Sequence, residues 1–225
     1  MDPRPDWGDP VVKIKNDVYV YAEGGGSGAH SAELQAELRK AFSEFFAKTD
    51  LGKTRRPRVV ACGGREQAFQ SFCTAIAQGQ NAMLLVDSEL PVSPLHQPPA
   101  PGSWRPWAHL KAQASWDMPA GATDEDCHLM VTCMENWFLA DWPCIENFYG
   151  RDFNTAALPA GAVEAIAKAN VYSSLQTATK HCKTKAPYGK GAHSFKLLSA
   201  ISPRKVEAAS PWAKRFIDEL RKRKP

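Results

Sequence analysis

The sequence predicts an α/β protein: a central, mainly parallel, Rossmann-like sheet flanked by helices, with a helical C-terminal extension. Three observations predict it. Short apolar runs alternate with segments of helical spacing in the order strand, helix, strand, helix, strand, which favours a parallel sheet with right-handed crossovers. Ala82–Val86 is continuously apolar, as a strand buried on both faces is. From Trp142 onward only helical spacing recurs.

Taken in order, Val11–Ala22 is rich in Val and Tyr and reads as a strand or hairpin. The glycine-rich stretch 24–28 breaks it. Ser31–Lys48 carries Leu34, Leu38, Phe42, Phe45 and Phe46 at helical spacing, with Ser31 as a plausible start. Arg58–Cys62 is a short strand, turned by Gly63 and Gly64 into an amphipathic helix over Arg65–Ala77. Ala82–Val86 is the third strand. Leu90–Asp126 differs, holding seven of the 17 prolines together with Trp104, Trp107 and Trp116. It reads as a long excursion packing its own aromatics, placed where it can cover a site. His128–Cys133 returns to strand character and Met134–Ala140 to helix. Cys144–Tyr149, Ala162–Ala169, Val171–Cys182 and Phe195–Ser199 follow as short helices. Ser210 with Pro211 reads as an N-cap and first helical position, opening a helix over Trp212–Arg223. We divide the chain into an α/β core, residues 1–141 with an insertion at 90–126, and an extension, residues 142–225, packed on it as one unit.

The whole chain sets outer bounds. With 225 residues, 44% hydrophobic and 23% charged, it can bury a sizeable core. A net charge of +4 does not by itself announce nucleic acid. The basic runs Lys53–Arg58 and Arg221–Lys224 read as solvated faces or chain ends. No stretch of 18 apolar residues is present, so no membrane span is expected. Met1–Pro10 is acidic and Pro-rich, without the basic and apolar regions of a signal peptide. The six cysteines form no Cys-x-x-Cys pair, and their plain reading is reduced thiols in a cytoplasmic protein. Cys127, His128 and Cys133 do not have the spacing of a structural zinc site.

The chemistry is read from acids at strand ends. Glu23 leaves the first strand into four glycines within five residues. Glycines let backbone approach a ligand closely, and free amides before a helix attract phosphate. Gly24 and Gly25 are therefore candidate phosphate contacts. The turn is not a P-loop, because no Gly-Lys-Ser/Thr follows. Asp87 and Glu89 close the third strand. Alternate residues of an extended segment face one side, so both can reach one cation while Ser88 points away. Glu135, from the next strand-to-helix turn, is a further candidate ligand. Asp141, which shares no helix face with it, is a second acid or a helix-end residue. Acids at the carboxyl ends of neighbouring parallel strands converge on one crevice, where they need a shared proton or cation. Hard oxygen ligands suit Mg²⁺ or Mn²⁺. Taken singly, a flexible glycine turn and a strand end turning polar explain these residues as well; the combination is the more specific signal.

Ala-Glu-Gly-Gly-Gly after a first strand, with Leu-Val-Asp-Ser-Glu after a third, resembles the toprim domain. That module is shared by topoisomerases, primases and nucleases related to the overcoming-lysogenization-defect family. His128–Asp141 is also similar to a segment of stand-alone toprim-like proteins of bacterial defence loci. The resemblance spans from Val18 to the last helix and implies a toprim-like fold. It implies that Glu23 is a general acid or base, that Asp87 and Glu89 bind metal, and that Glu135 adds a ligand. The usual pair is Asp-x-Asp, and the Asp-Ser-Glu of this chain leaves the metal count open. It further implies a nucleic-acid substrate, DNA or RNA, and an ATPase subunit encoded nearby; no Walker motif is present here, so any ATP use must come from elsewhere.

The expected function is metal-dependent hydrolysis of phosphodiesters, as the effector of an antiphage system. One or two divalent ions would polarise the phosphoryl group while the acids hold them. Lys190, between two glycines, is the candidate cation for transition-state charge, and Arg65 at a helix start is another; an ordinary basic surface is the plainer reading of each. Two alternatives stand beside it: a weak or inactive toprim-like scaffold for an ATPase or nucleic acid, and a Mg²⁺-dependent phosphatase or nucleotidyl-transfer enzyme on small substrates. For Trp104, Trp107 and Trp116, packing is preferred to base stacking, and for His109 and His128 a structural role.

Overall fold

The computed structural model describes residues 17–223 except positions 27, 29, 54, 55 and 192, with the side chain of residue 101 also excluded. The expectations for residues 1–16, for positions 27, 54 and 55, and for residue 224 lie outside these. Four strands, β1 (Tyr19–Gly25), β2 (Arg58–Gly63), β3 (Ala82–Asp87) and β4 (Cys127–Met130), form one sheet in the order β2-β1-β3-β4, and every pairing is parallel. The α/β architecture of the sequence reading therefore stands, with a sheet consistent with a Rossmann-like fold.

Strand alternation sorts the core into two clusters. Val20, Ala22, Met83, Leu85 and Met130 face one side. There α1 (Ser31–Ala47) buries Leu38, Ala41, Phe42, Phe45 and Phe46. Leu84, Val86, Cys127 and Leu129 face the other side, covered by Ala68, Phe72 and Ala75 of α2 (Arg65–Ala77). The helix after β1 and the helix after β2 thus lie on opposite faces, because the chain steps outward from β1 to β2 and then back past β1 to β3. That reversal makes the gap between the carboxyl ends of β1 and β3 a topological switch point, where open α/β sheets bind ligands.

The excursion after β3 contains α3 (Pro106–Ala114), begun by a proline at its first position. Its tryptophans pack. Trp104 lies 4.6 Å from Trp212, Trp107 donates to the Thr123 carbonyl at 2.8 Å, and Trp116 stacks on Phe69 at 4.3 Å.

The other helices are α4 (Asn136–Leu139), α5 (Trp142–Tyr149), α6 (Lys168–Thr179), α7 (Ser194–Ala200), α8 (Pro203–Ala209) and α9 (Pro211–Lys222). They share the α1-side cluster with the sheet through Val171, Leu197, Val206 and Phe216. Helix α8 is not foreseen by the sequence reading. Helix α9 opens as expected, with the Ser210 hydroxyl accepting from the Ala213 amide at 3.1 Å.

Two expectations are corrected. β4 ends at Met130 rather than Cys133. The Asn136 side chain accepts from the Cys133 amide at 3.0 Å, and Asp87 Oδ1 accepts from the Met134 amide at 2.9 Å, so side chains claim the backbone that a ladder would use. Ala162–Ala169 is not a helix. It is a single 3₁₀ turn, Val163–Ala165, followed by extended Ile166 and Ala167. Asn136 Nδ2 donates to the carbonyls of Val163 and Ile166, at 2.6 and 3.0 Å, and Thr132 Oγ1 donates to Ile166. These tertiary bonds replace helical ones.

Candidate metal centre and its cavity

Glu23 stands in β1 two residues before that strand's end, beside a bulge at which Gly24 and Gly25 both oppose Gly63. Glycine is required at Gly25. Its φ is +91°, and an added Cβ would lie 2.9 Å from the Gln35 Cα of α1. The turn thus brings α1 against the strand end. Glu23 Oε2 accepts from the Asp87 amide at 3.1 Å, which ties the end of β1 to the end of β3.

Asp87 is buried, and both its oxygens are engaged: Oδ1 by Met134, and Oδ2 by Lys168 Nζ at 3.0 Å. Glu89 has a left-handed backbone, φ +65°, and its amide donates to the Thr132 carbonyl at 2.9 Å. Its two oxygens accept from Lys168 Nζ at 2.8 and 2.9 Å. Ser88 turns aside, donating to the Leu90 carbonyl at 2.6 Å. His109 lies 2.9 Å from the Ser88 carbonyl, and against that bond burial first, then His96 and the cation of Arg65, hold its imidazole below the ordinary range.

Ligand atoms of Glu23, Asp87 and Glu89 all lie within 4.8 Å of one another. These three carboxylates can hold a metal ion. Burial raises Glu23 above the carboxylate range, against the Asp87 amide and Lys168. Burial, then the charge of Glu23, pushes Asp87 up to about 8, against Lys168. Lys168 is itself raised: burial opposes its charge, and the Asp87 and Glu89 carboxylates overcome that. Three carboxylates face one ammonium, and a divalent cation would complete the neutralisation. The donor set is all oxygen, the kind that hard cations take.

Glu135 lines the same cavity but stands outside this cluster. The hydroxyls of Tyr172, Tyr188 and Ser194 converge on its carboxylate at 3.0, 3.1 and 3.2 Å. Burial, then the charge of Glu135, raises both tyrosines. Asp141 is elsewhere. It precedes α5 without a side-chain bond to that helix, and it accepts from the Ser202 amide and from Lys205.

Glu23, Gly24, Gly25, Asp87, Glu135 and Lys190 line a common cavity of about 290 Å³. Lys190 Nζ lies 5.3 Å from the centre of the Tyr172 ring. Arg65 does not line the cavity. Its guanidinium lies over Trp116 at 4.6 Å, with Nε and Nη2 shielded from solvent and without a hydrogen-bond partner among the described residues.

Residues 22–221 match the family described as "Domain of unknown function (DUF4276)". The chain belongs to the DUF4276 family. No curated protein and no solved structure shows a significant match to it. The DUF4276 span holds every acid named above, Lys168, Lys190 and all four strand ends.

The residue that sequence reasoning missed in this DUF4276 protein is Lys168. It lies 81 positions from Asp87 and 79 from Glu89. A lone lysine between Ala167 and Ala169, near the end of a segment expected to be helical, carries no local signal of its role. Its place at the start of α6 follows from the extended approach through Ile166 and Ala167, and that approach is set by Asn136.

Proposed function

We propose that this protein is a Mg²⁺- or Mn²⁺-dependent phosphodiesterase acting on nucleic acid. One observation carries the reading: the Glu23, Asp87 and Glu89 carboxylates meet at the switch point of a parallel sheet, beside a glycine turn. The likeness of the two motifs to toprim nucleases supports the same chemistry. The six free cysteines fit a cytoplasmic protein. No helix among the described residues is long and apolar enough to cross a membrane. The biological setting we propose, an antiphage effector beside an ATPase, rests on the resemblance alone.

Glu23, Asp87 and Glu89 would hold the ion. Bound there, it would supply polarisation of the phosphoryl group and activation of water. Lys168 bonds to Asp87 and Glu89 rather than to Glu23, whose pKa is raised by burial, so Glu23 is the acid suited to hold or move a proton. Asp87 is fixed by the Met134 amide, which orients one oxygen and leaves the other toward Lys168. Lys190, on the cavity wall and without a carboxylate partner among the described residues, is placed to meet phosphate charge.

The test is hydrolysis of end-labelled oligonucleotides with Mn²⁺, with thermal melting as the folding control. Asp87→Asn and Glu23→Gln are expected to lower the rate by about a hundredfold while keeping the fold. Equal rates in wild type and both variants would exclude these acids from the reaction.

A second reading has its own observation. Lys168 already bridges Asp87 and Glu89, as an internal counter-ion does in a site that needs no metal. The protein would then be a non-catalytic partner of an ATPase or of nucleic acid. Absence of Mn²⁺ binding by calorimetry would favour that reading.

A further inference from the structure

The cavity beside the acids has walls that metal binding does not use. Leu34, Met130, Met134 and Phe195 form an apolar side. Its volume, about 290 Å³, lies at the lower end of the range for small-molecule pockets. It suits one base with its sugar and is too small for a stacked pair.

Glu135 and Ser194 are the polar side chains that line the cavity beside these apolar ones. The Glu135 carboxylate offers about four acceptor positions, and its three hydroxyl neighbours fill at most three. An alkyl chain in the cavity would leave the remaining position against hydrocarbon, which is costly. The N–H edge of a nucleobase would satisfy it, while the base faces contact Phe195 and the two methionines.

We infer that this cavity receives the base of a single nucleotide, with Glu135 accepting from its N–H edge and its phosphate at the Glu23–Asp87–Glu89 edge. The inference rests on the phosphodiester reading above and narrows its substrate. A base inside a duplex is stacked and must be extruded to enter such a pocket. The substrate is therefore a single strand or a frayed end.

Calorimetry with Mg²⁺ present tests this, with guanosine and adenosine monophosphates compared against ribose 5-phosphate and decyl phosphate. A mononucleotide is expected to bind about tenfold tighter than ribose 5-phosphate. Leu34→Trp fills the half-buried rim of the cavity and is expected to remove that difference, with melting temperature as the folding control. Glu135→Gln adds a donor at the acceptor position and is expected to weaken the preferred nucleotide. Equal affinity for mononucleotide and ribose 5-phosphate overturns the inference, as does tighter binding of decyl phosphate. The oligonucleotide assay separates the two claims. Hydrolysis without base-dependent affinity leaves the phosphodiesterase and removes the base pocket. Base-dependent affinity without hydrolysis does the reverse. Where hydrolysis occurs, single strands are expected to be cut about tenfold faster than duplex, and equal rates overturn the inference.

Discussion

Lys168 is the cation in contact with the acidic cluster among the described residues. Its side chain is only 22% exposed and Asp87's 7%, so their attraction is little screened, while both have lost most of their hydration. Removing one member of such a group costs more than the pair contributes, because the other charge stays buried and uncompensated. Above about pH 8, where Asp87 is ionised, Lys168→Met should therefore destabilise the metal-free protein by about 2 kcal/mol, less than for a fully buried pair because Glu89 retains some solvent. Mg²⁺ should return most of that loss by taking over the lysine's charge. Urea unfolding of the variant with and without Mg²⁺ measures both effects. A loss that Mg²⁺ leaves unchanged would show that the lysine's role is packing rather than charge balance. The same scale explains why Glu135 and Asp87, both buried acids beside the cavity, differ. Asp87 meets charges, and Glu135 meets neutral hydroxyls.

Each element places its functional residue through a different local device. β1 ends in a glycine bulge, which lets α1 approach closely enough for its backbone to pack on the turn. Gly25→Ala would bring a Cβ to 2.9 Å from the Gln35 Cα and force alanine to a φ near +91°. We expect a loss of about 2 kcal/mol, above the usual cost of an incompatible glycine replacement because strain and clash combine. Chemical denaturation reads the loss, and Mn²⁺ affinity should fall with it as Glu23 shifts. An alanine variant as stable as wild type would show that α1 moves away freely. β4 and the segment before α6 depend on Asn136, whose amide group bonds to backbone of Cys133, Val163 and Ile166. Through that one side chain the acids of β3 and the lysine of α6 are held in register.

For the molecule as a whole, the acids make stability depend on pH. The Asp87 carboxyl titrates near 8 in the fold, against an ordinary value of 3.8. A raised acid keeps its proton in the folded state after the unfolded chain has released it. Its favourable contribution is thus complete below the ordinary value and lost as pH rises toward about 8; Glu23, shifted the same way, adds to the effect. A divalent cation binds the ionised form, so Mg²⁺ should raise the melting temperature more at about pH 8 than at about pH 6. Melting curves across that range, with and without Mg²⁺, check the sign. A Mg²⁺ effect independent of pH would contradict a site built on these carboxylates.

Much was legible in the sequence because its signals are local. The alternation of apolar runs with helical spacing marked β1, α1, β2, α2 and β3. Ser210 with Pro211 marked the start of α9, and the acids after β1 and β3 pointed to one crevice once the sheet was parallel. Such features depend on side-chain periodicity and backbone preference within a few residues. What only the tertiary structure decided is set by distant partners. The early end of β4 and the extended run before Lys168 exist because Asn136 and Asp87 claim backbone groups from other segments. The separation of Glu135 from the cluster follows from tyrosines 37 and 53 positions away. Periodicity cannot reveal a hydrogen bond whose two ends are brought together only by the fold.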